Sequence, residues 1–599
     1  MTAYLRPRDG DPADLGTPTP VEITVDVEPL TAHAGQTVAA ALLSTGRDTW
    51  RTTRAAARPR GIFCGIGACQ DCLVIVNGTP DIRACQRTVQ AGDAVATQLG
   101  AVLPTSTQPP NADAAGSATP PPTGSAGPAS SHSTSNRRPQ VADVVVVGAG
   151  PAGVAAALAA ADGGARVVLI DAARAVGGQF NRQLPVEFGA RRAGRLQHGW
   201  KGFVGRRDRV AGHERITQLA ESSVWAIEGL RLWVQKGPAD SVGREVFAVD
   251  AKALVLATGA YDRVLPFPGW DLPGVYAAGA AQALAKGQRI SVGRRVVVAG
   301  TGPFLLPVAE SLVGVGAEVV ELLEANTLRT VRRGWLTDPL VAPGKFRESL
   351  GYGALLAKHR IPLRHGQTVV AAHGTDHVEA VTVARLDDGW RPIAGSERRI
   401  EVDAVCLGFG FTAQLELAVS ARCNLTTGPD GGPAVVVDAN QETTTPGVFA
   451  AGELTGIGGA DLAAAEGRVA GAAAARQVAV QEDVESVQKG RRFAAVLARA
   501  YPVRDGWREW SKPDTVVCRC EEVTRAEVEA AAAERGVQDG RALKLSSRAG
   551  LGLCQGRVCS RTVGALVGSP ESTAPESSMK RPIAVPVRLR DLAEVQEDL

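Results

Sequence analysis

The sequence predicts a multidomain α/β chain in which a small cysteine-bearing domain stands at each end of a larger nucleotide-binding core. Three observations predict it. Eight of the ten cysteines fall in two tight groups near the ends, with none between Cys85 and Cys406. Between those groups, two strand–glycine-loop–helix patterns begin near Asp143 and Arg294. The length of 599 residues exceeds what one core sustains, since domains run to roughly 100–200 residues each.

Composition narrows the class. Hydrophobic residues make up 45% and charged residues 21%, a globular balance that excludes a fibrous or wholly disordered protein. Basic and acidic side chains nearly cancel, at a net +3, so charge offers no argument for nucleic acid or an anionic membrane. Met1 to Pro20 carries early charges and no apolar core, which argues against a secretory signal. The uncharged run Val144 to Ala161 is broken by glycines and Pro151; it reads as a nucleotide-binding turn, and no transmembrane segment is expected. Reduced thiols acting as metal ligands fit a cytoplasmic setting.

In chain order, Val21 to Val27 alternates as a strand and Thr37 to Leu43 reads as a short helix. Cys64-Gly-Ile-Gly-Ala-Cys69-Gln-Asp-Cys72 follows, with Cys85 further on. This C-x4-C-x2-C…C spacing is that of plant-type [2Fe–2S] binding. Gly65 and Gly67 let the loop curl so that backbone N–H groups face the sulfurs, and the strand Leu73 to Val76 would hold Cys72. A structural zinc site is the alternative, but zinc favours C-x2-C pairs. Ala101 to Gln140, rich in Pro, Ser, Thr, Gly and Ala, cannot bury enough surface to offset its ordering entropy and is expected to be a tether.

Asp143 to Val147 reads as a buried strand leading into Gly148-Ala-Gly150-Pro-Ala-Gly153, an alanine-rich helix, and a second strand ending at Asp171. The first glycine allows the turn, the second lets a pyrophosphate approach the backbone, and the third permits close helix packing. The helix N-terminus adds positive potential, and Asp171 is placed to hold a ribose. Gly178-Gln179, Thr258-Gly259 and Gly452-Glu453 follow in order. The set resembles the FAD-binding plan of two-dinucleotide-domain flavoprotein reductases. In that family the last motif ends Gly-Asp and contacts the ribityl–phosphate end of the flavin; Glu453 stands there instead.

The second unit, Gly300-Thr-Gly302-Pro-Phe-Leu305, has leucine at the third glycine position, which should push its helix away from the loop. Glu324 ends the next strand and can reach a ribose. NAD(P), an adenine nucleotide and a vacant site all remain open for this unit. No C-x2-C or C-x4-C lies near Gly178 or in the second unit, which excludes the dithiol chemistry of thioredoxin reductase relatives.

Near the C-terminus, Cys518-Arg-Cys520 precedes a capping box, Thr524 to Glu527, and a helix that Gly536 ends. Cys554-Gln-Gly-Arg-Val-Cys559 completes the second group. It resembles the [2Fe–2S] domain of bacterioferritin-associated ferredoxin, with C-x4-C where that protein has C-x2-C. Arg548, Arg557 and the N-terminus of a following helix are expected to favour ionised thiolates; structural zinc is again the alternative. Cys406 and Cys423 read as core, Tyr261 and Trp270 likewise, and His373 and His377, interrupted by Gly374, as a loop.

Over nearly its whole length the chain resembles a family of multisubunit amino-acid and amine dehydrogenases. Hydrogen cyanide synthase, opine oxidase and D-hydroxyproline dehydrogenase belong to it, and the alpha subunit of sarcosine oxidase is related. The residues that carry the resemblance are the Cys64 to Cys72 loop, Gly300-Thr-Gly302-Pro-Phe-Leu305-Leu-Pro, and Cys554 to Cys559. No segment after Cys559 is long enough for a folate-binding domain. The resemblance implies a β-grasp ferredoxin-like domain (1–100), a linker (101–140) and a first FAD-binding part (141–290). A second dinucleotide-binding domain (291–405), a second FAD-binding part (406–480), a connector (481–513) and a small helical [2Fe–2S] domain with tail (514–599) complete it. It also implies FAD, two [2Fe–2S] clusters and a flavin-containing beta subunit that oxidises an amino acid, opine or secondary amine. Electrons are then expected to pass through this chain to an acceptor. No acid–base pair is placed by any motif, so no catalytic residue is assigned. A self-sufficient NAD(P)H-dependent reductase is the first alternative, and a non-catalytic assembly or redox-sensing subunit the second.

Overall fold

The computed structural model describes residues 10–102, 140–537, 540–568, 581 and 583–593. The stretch expected to be a tether lies almost wholly outside these residues. In the N-terminal part, β1 (Pro20–Val25) and β2 (Glu28–His33) form a hairpin. Helix α1 (Val38–Ser44) follows, its Thr37 hydroxyl accepting from the Ala40 N–H; it buries Val38 through Leu43 without a break. With β3 (Leu73–Val76), β4 (Thr79–Arg83) and β5 (Ala94–Ala96) the sheet order is β2-β1-β5-β3-β4, β1 and β5 running parallel. This is the expected β-grasp.

Two large sheets organise the core. In the first, β6 (Gln140–Val147) leads into α2 (Pro151–Asp162). It is joined by β7 (Val167–Ile170), β8 (Ile216–Leu219), β9 (Ser222–Glu228), β10 (Arg231–Lys236) and β11 (Glu245–Leu256), in the order β8-β7-β6-β11-β10-β9. The second sheet is all parallel. Its strands are β12 (Val275–Ala277), β13 (Arg295–Gly300), β14 (Glu318–Glu324), β15 (Leu363–His365) and β16 (Ala404–Gly408), ordered β12-β16-β13-β14-β15. Helix α3 (Ala278–Gly287) follows β12 and α4 (Leu305–Val313) follows β13. The near-continuous valine runs of β6 and β13 suit strands covered on both faces.

The chain then returns to the first sheet. Strand β17 (Val448–Ala450) pairs parallel with Leu254–Leu256 at the end of β11. Helix α5 (Ala460–Ala474) lies on α2, and a Cβ at Gly467 would stand 2.1 Å from the Ala152 carbonyl oxygen. The small residues of both helices therefore set how closely they approach.

Residues 481–513, expected to be a connector, are mostly ordered secondary structure. Helix α6 (Gln481–Ala500) packs Val487 and Ala494 against Leu462, Ala465 and Val469 of α5. Beyond it, Trp510 stacks on Trp390 at 5.8 Å between ring centroids and donates its indole N–H to the Trp390 carbonyl at 2.9 Å. The polar composition of α6 hid its apolar stripe. The C-terminal part contains β18 (Val516–Cys518), α7 (Arg525–Glu534) and α8 (Ser560–Leu566), with the Thr524–Glu527 capping box formed as expected. No helix among the described residues is long and apolar enough to cross a membrane.

Candidate cofactor sites

The first glycine loop is shaped for a pyrophosphate. Gly148 adopts φ 100°, and a Cβ there would stand 2.3 Å from the Ala257 carbonyl oxygen. A Cβ at Gly153 would stand 1.7 Å from the Gly148 carbonyl oxygen, so only glycine lets α2 start so near the loop. Gly150 is different: no atom lies within 4 Å of the position its Cβ would take. Gly150 caps α2 without any side-chain hydrogen bond, which leaves its first N–H groups open beside that space. This is the donor set an anion needs. Asp171 accepts from the Ala149 N–H, and from the Ala173 N–H at 2.7 Å.

The other residues read as an FAD set converge on this loop. A Cβ at Gly178 would stand 2.8 Å from Gly150 Cα, and Gln179 bonds Arg182 beside it. Thr258 and Gly259 are tied to Gln414, the threonine hydroxyl donating to its carbonyl at 2.7 Å. Gly452 faces Ala152 in the first turn of α2. Glu453 turns to α5 instead, accepting from the Gly458 and Gly459 N–H groups at 3.2 and 3.0 Å; burial pushes it up to about 7. A further residue, Glu466, escaped the sequence reading. It is 1% exposed, accepts from the Gly452 N–H at 2.9 Å and pairs with Arg491 at 3.2 Å. The available signal was a lone acid in the apolar run Leu462 to Val469.

The second cradle is internally satisfied. Glu324 is 3% exposed and accepts from the Thr301 hydroxyl (2.7 Å), the Gly302 N–H (2.8 Å) and the Asn326 N–H (2.8 Å). The Asn326 amide also donates to the carbonyl of Pro502, at 3.1 Å, from the segment after α6. Burial pushes Glu324 up to about 7. The helix begins late, as expected from Leu305: α4 starts at the sixth residue of its glycine motif, whereas α2 starts at the fourth of its own.

The four N-terminal cysteines converge, each less than a tenth exposed. Gly65 and Gly67 take φ 65° and 77°, curling the loop so that the Cys69 N–H donates to Cys64 Sγ at 3.3 Å and the Asp71 N–H to Cys69 Sγ at 3.5 Å. The Gln86 amide reaches Cys85 Sγ at 3.5 Å. Bonding from the Cys69 thiol, with N–H groups of the loop, brings Cys64 down to about 6. Burial and Cys64 push Cys69 up, and bonding with Cys85 pushes Cys72 up. Four buried thiols in which charge on one disfavours charge on the next cannot all ionise without cations among them, which suits an iron–sulfur core. The loop also rests on the core: the Ala277 N–H donates to the Phe63 carbonyl at 3.0 Å, and Gly65 abuts Ala280 of α3.

The C-terminal sulfurs form an open chain. Cys559–Cys518, Cys518–Cys520 and Cys520–Cys554 are separated by 3.7, 3.9 and 3.7 Å. The wide Cys554–Cys559 spacing is taken up by a turn through Gln555 and Gly556, both at positive φ. Arg548 and Arg557, expected to favour thiolates, are engaged elsewhere. They pair with Glu521 at 2.7 Å and Glu416 at 2.6 Å. Bonding to Cys518 pushes Cys520 up to about 12, and bonding to Cys520 pushes Cys554 up. Again the donor set fits a resident cation cluster.

The two cysteine sets meet. Cys69 and Asp71 line one small cavity together with Cys518, Arg519, Cys520, Cys554, Val558 and Cys559. The surrounding loops interlock, Glu522 accepting from the Thr53 hydroxyl at 2.7 Å and the Ala56 N–H at 2.9 Å. Of the remaining cysteines, Cys406 and Cys423 are buried and free. Tyr261 and Trp270 are core, and Gly374 separates His373 from His377 in a turn after a strand.

Comparison with known proteins finds a matching domain for the core and for each end of the chain. Residues 142–479 match the family described as pyridine nucleotide-disulphide oxidoreductase. Residues 18–100 match a 2Fe-2S iron-sulfur cluster binding domain, and residues 516–569 a BFD-like [2Fe-2S] binding domain. Hydrogen cyanide synthase subunit HcnB of Pseudomonas protegens is 34% identical over 436 residues, 69% of this chain and 89% of that one. An opine oxidase subunit from Agrobacterium tumefaciens is 32% identical over 478 residues, 76% of this chain and 92% of that one. The crystal structure of L-proline dehydrogenase from P. horikoshii covers 98% of this chain and 100% of its own, with TM-score 0.66 at 20% identity, and bears on the fold.

Proposed function

The chain belongs to the pyridine nucleotide-disulphide oxidoreductase family, and we propose that within it the protein is an electron-relay subunit serving a partner that oxidises an amino acid, opine or secondary amine. It is an FAD-dependent oxidoreductase with a [2Fe–2S]-binding domain at each end of its core. When bound, FAD takes up two electrons together and gives them up singly, as [2Fe–2S] centres require.

The chain's own residues divide the work. Gly148, Gly150, Gly153 and the first turn of α2 would hold the pyrophosphate, Asp171 the adenosine ribose, and Gly178, Gln179, Thr258, Gly259 and Gly452 the flavin half, while Glu453 shapes the turn before α5. Cys64, Cys69, Cys72 and Cys85 form one ligand set, and Cys518, Cys520, Cys554 and Cys559 the other. Buried Glu466, paired with the half-exposed Arg491, keeps the Gly452 turn against α2.

One observation carries the relay reading over a self-sufficient reductase. In the second cradle, beyond backbone bonds of the kind Asp171 also accepts, Glu324 is occupied by the Thr301 hydroxyl, and Asn326 beside it is tied to the Pro502 carbonyl. A nicotinamide dinucleotide would have to displace those bonds, so electrons enter from elsewhere. The names of the relatives as subunits support a partner. The test is anaerobic reduction of the holoprotein. NADH alone should leave the flavin oxidised, while an amine substrate with the copurified partner should bleach it. Rapid bleaching by NADH without partner would overturn the relay reading and favour the reductase.

A further inference from the structure

We propose that the Asp71–Arg519 ion pair joins the two cysteine sets and, by its orientation, draws electrons from the N-terminal set toward the C-terminal one. This rests on the reading that both sets hold iron–sulfur centres.

The geometry is specific. Asp71 lies between Cys69 and Cys72, and Arg519 between Cys518 and Cys520. Arg519 Nε donates to Asp71 Oδ2 at 2.8 Å, the residues being 6% and 1% exposed. The guanidinium is fixed further by the Trp270 carbonyl at 2.8 Å, and it lies 4.1 Å from the Phe63 ring centroid. Because Cys69 lines the same cavity as the four C-terminal cysteines, the two sets face each other across it. A continuous route runs from Cys69 through Gln70 and Asp71, across one hydrogen bond, to Arg519 and the cysteines on either side of it.

A buried ion pair is neutral overall, yet it is a fixed dipole. Its negative end sits inside the N-terminal loop, where a carboxylate next to Cys72 disfavours further negative charge. Its positive end sits inside the C-terminal loop, flanked by two sulfurs, where a guanidinium favours it. At the reduced dielectric of a buried site, charges a few ångströms apart interact far more strongly than in water. Buried Arg60 beside the pair does not cancel this orientation, being held by Asp271 Oδ2 at 3.2 Å and the Asp271 carbonyl at 2.9 Å. The step itself is a single-electron transfer. One set loses the electron and the other gains it; no bond forms or breaks and no proton moves. Asp71 and Arg519 are thus positioning residues.

The test is an anaerobic redox titration of the full-length holoprotein followed by electron paramagnetic resonance, with Cys554→Ser used to assign the C-terminal signal. In Asp71→Asn/Arg519→Gln, which keeps a hydrogen bond and removes both charges, the ratio of C-terminal to N-terminal reduced centres at half reduction should fall about tenfold. A tenfold change in that ratio corresponds to about 1.4 kcal/mol. Arg519→Lys, which retains the charge, should preserve the ratio. An unchanged ratio in the double variant, with both signals intact, overturns the proposal. Should the double variant fail to fold, Asp71→Asn alone should favour reduction of the N-terminal set, and equal shifts of both signals overturn the proposal. A wild-type protein with only one iron–sulfur signal would instead overturn the two-centre reading.

Discussion

Glu324 accepts a 2.7 Å hydrogen bond from the Thr301 hydroxyl, across the glycine loop where a second nucleotide would lie. The carboxylate that ends the second strand thus serves its own loop.

That bond carries a pH signature. Burial raises Glu324 from the usual 4.5 to about 7, so the folded state binds its proton more tightly than the unfolded state does. The stability this contributes is complete below about pH 4.5 and is lost as pH rises through 7, about 3 kcal/mol in all. Glu324→Gln should flatten that dependence. Hydrogen exchange at the Gly302 and Asn326 amides, compared at acid and alkaline pH, should differ less in the variant; identical pH differences in both proteins would refute the assignment.

The glycines of the first loop should separate packing from ligand binding. Gly153→Val forces α2 off the loop, and overpacking of about 1–3 kcal/mol should lower both thermal stability and flavin content, the latter about tenfold. Gly150→Ala meets no protein atom within 4 Å, so it should keep wild-type stability while losing flavin. Visible flavin absorbance relative to protein, beside a melting curve, distinguishes the two; equal destabilisation would show that Gly150 serves packing.

The cysteine sets should be separable by substitution. Cys85→Ser and Cys554→Ser should each leave about half of the bound iron, in different spectroscopic species. Elemental analysis that returns zinc in place of iron would defeat the iron–sulfur assignment for that set.

Trp510 should anchor the segment after α6. Its stack on Trp390 and its 2.9 Å indole bond are lost in Trp510→Ala, at about 3–5 kcal/mol for a buried tryptophan. Limited proteolysis between residues 481 and 513 should accelerate at least tenfold, about 1.4 kcal/mol of local opening. Wild-type cleavage rates would mean the segment is held by α6 alone.

Much of the site was legible because its signals are local. The turns at Gly148, Gly65 and Gly67 take positive φ, and the first turn of α2 needs, at Gly153, a residue without a side chain. Such demands act over a few residues and therefore leave a spacing in the sequence. Glu466 was not legible, because its partner Gly452 lies 14 positions earlier, across a short turn and the loop that precedes α5. Helix α6 was missed for a related reason. Its apolar residues are sparse, and they become a core only against the stripe that α5 presents. The ion pairs of Arg548 with Glu521 and of Arg557 with Glu416 were not legible either, because those partners reach them only through folding.

The sequence by itself determined which cofactor loops the chain carries and in what order, since each loop's stereochemistry is written within its own residues. Tertiary structure decided how those loops relate. Asp71 and Arg519 are 448 positions apart, and no periodicity or spacing connects them. They meet because the β-grasp sheet, α3 and the C-terminal helices each bury an apolar face, and the packing that satisfies those faces brings the two cysteine loops edge to edge. The same packing lays Pro502 over the second cradle. Local chemistry chose the cofactors, and long-range burial of apolar surface chose their neighbours.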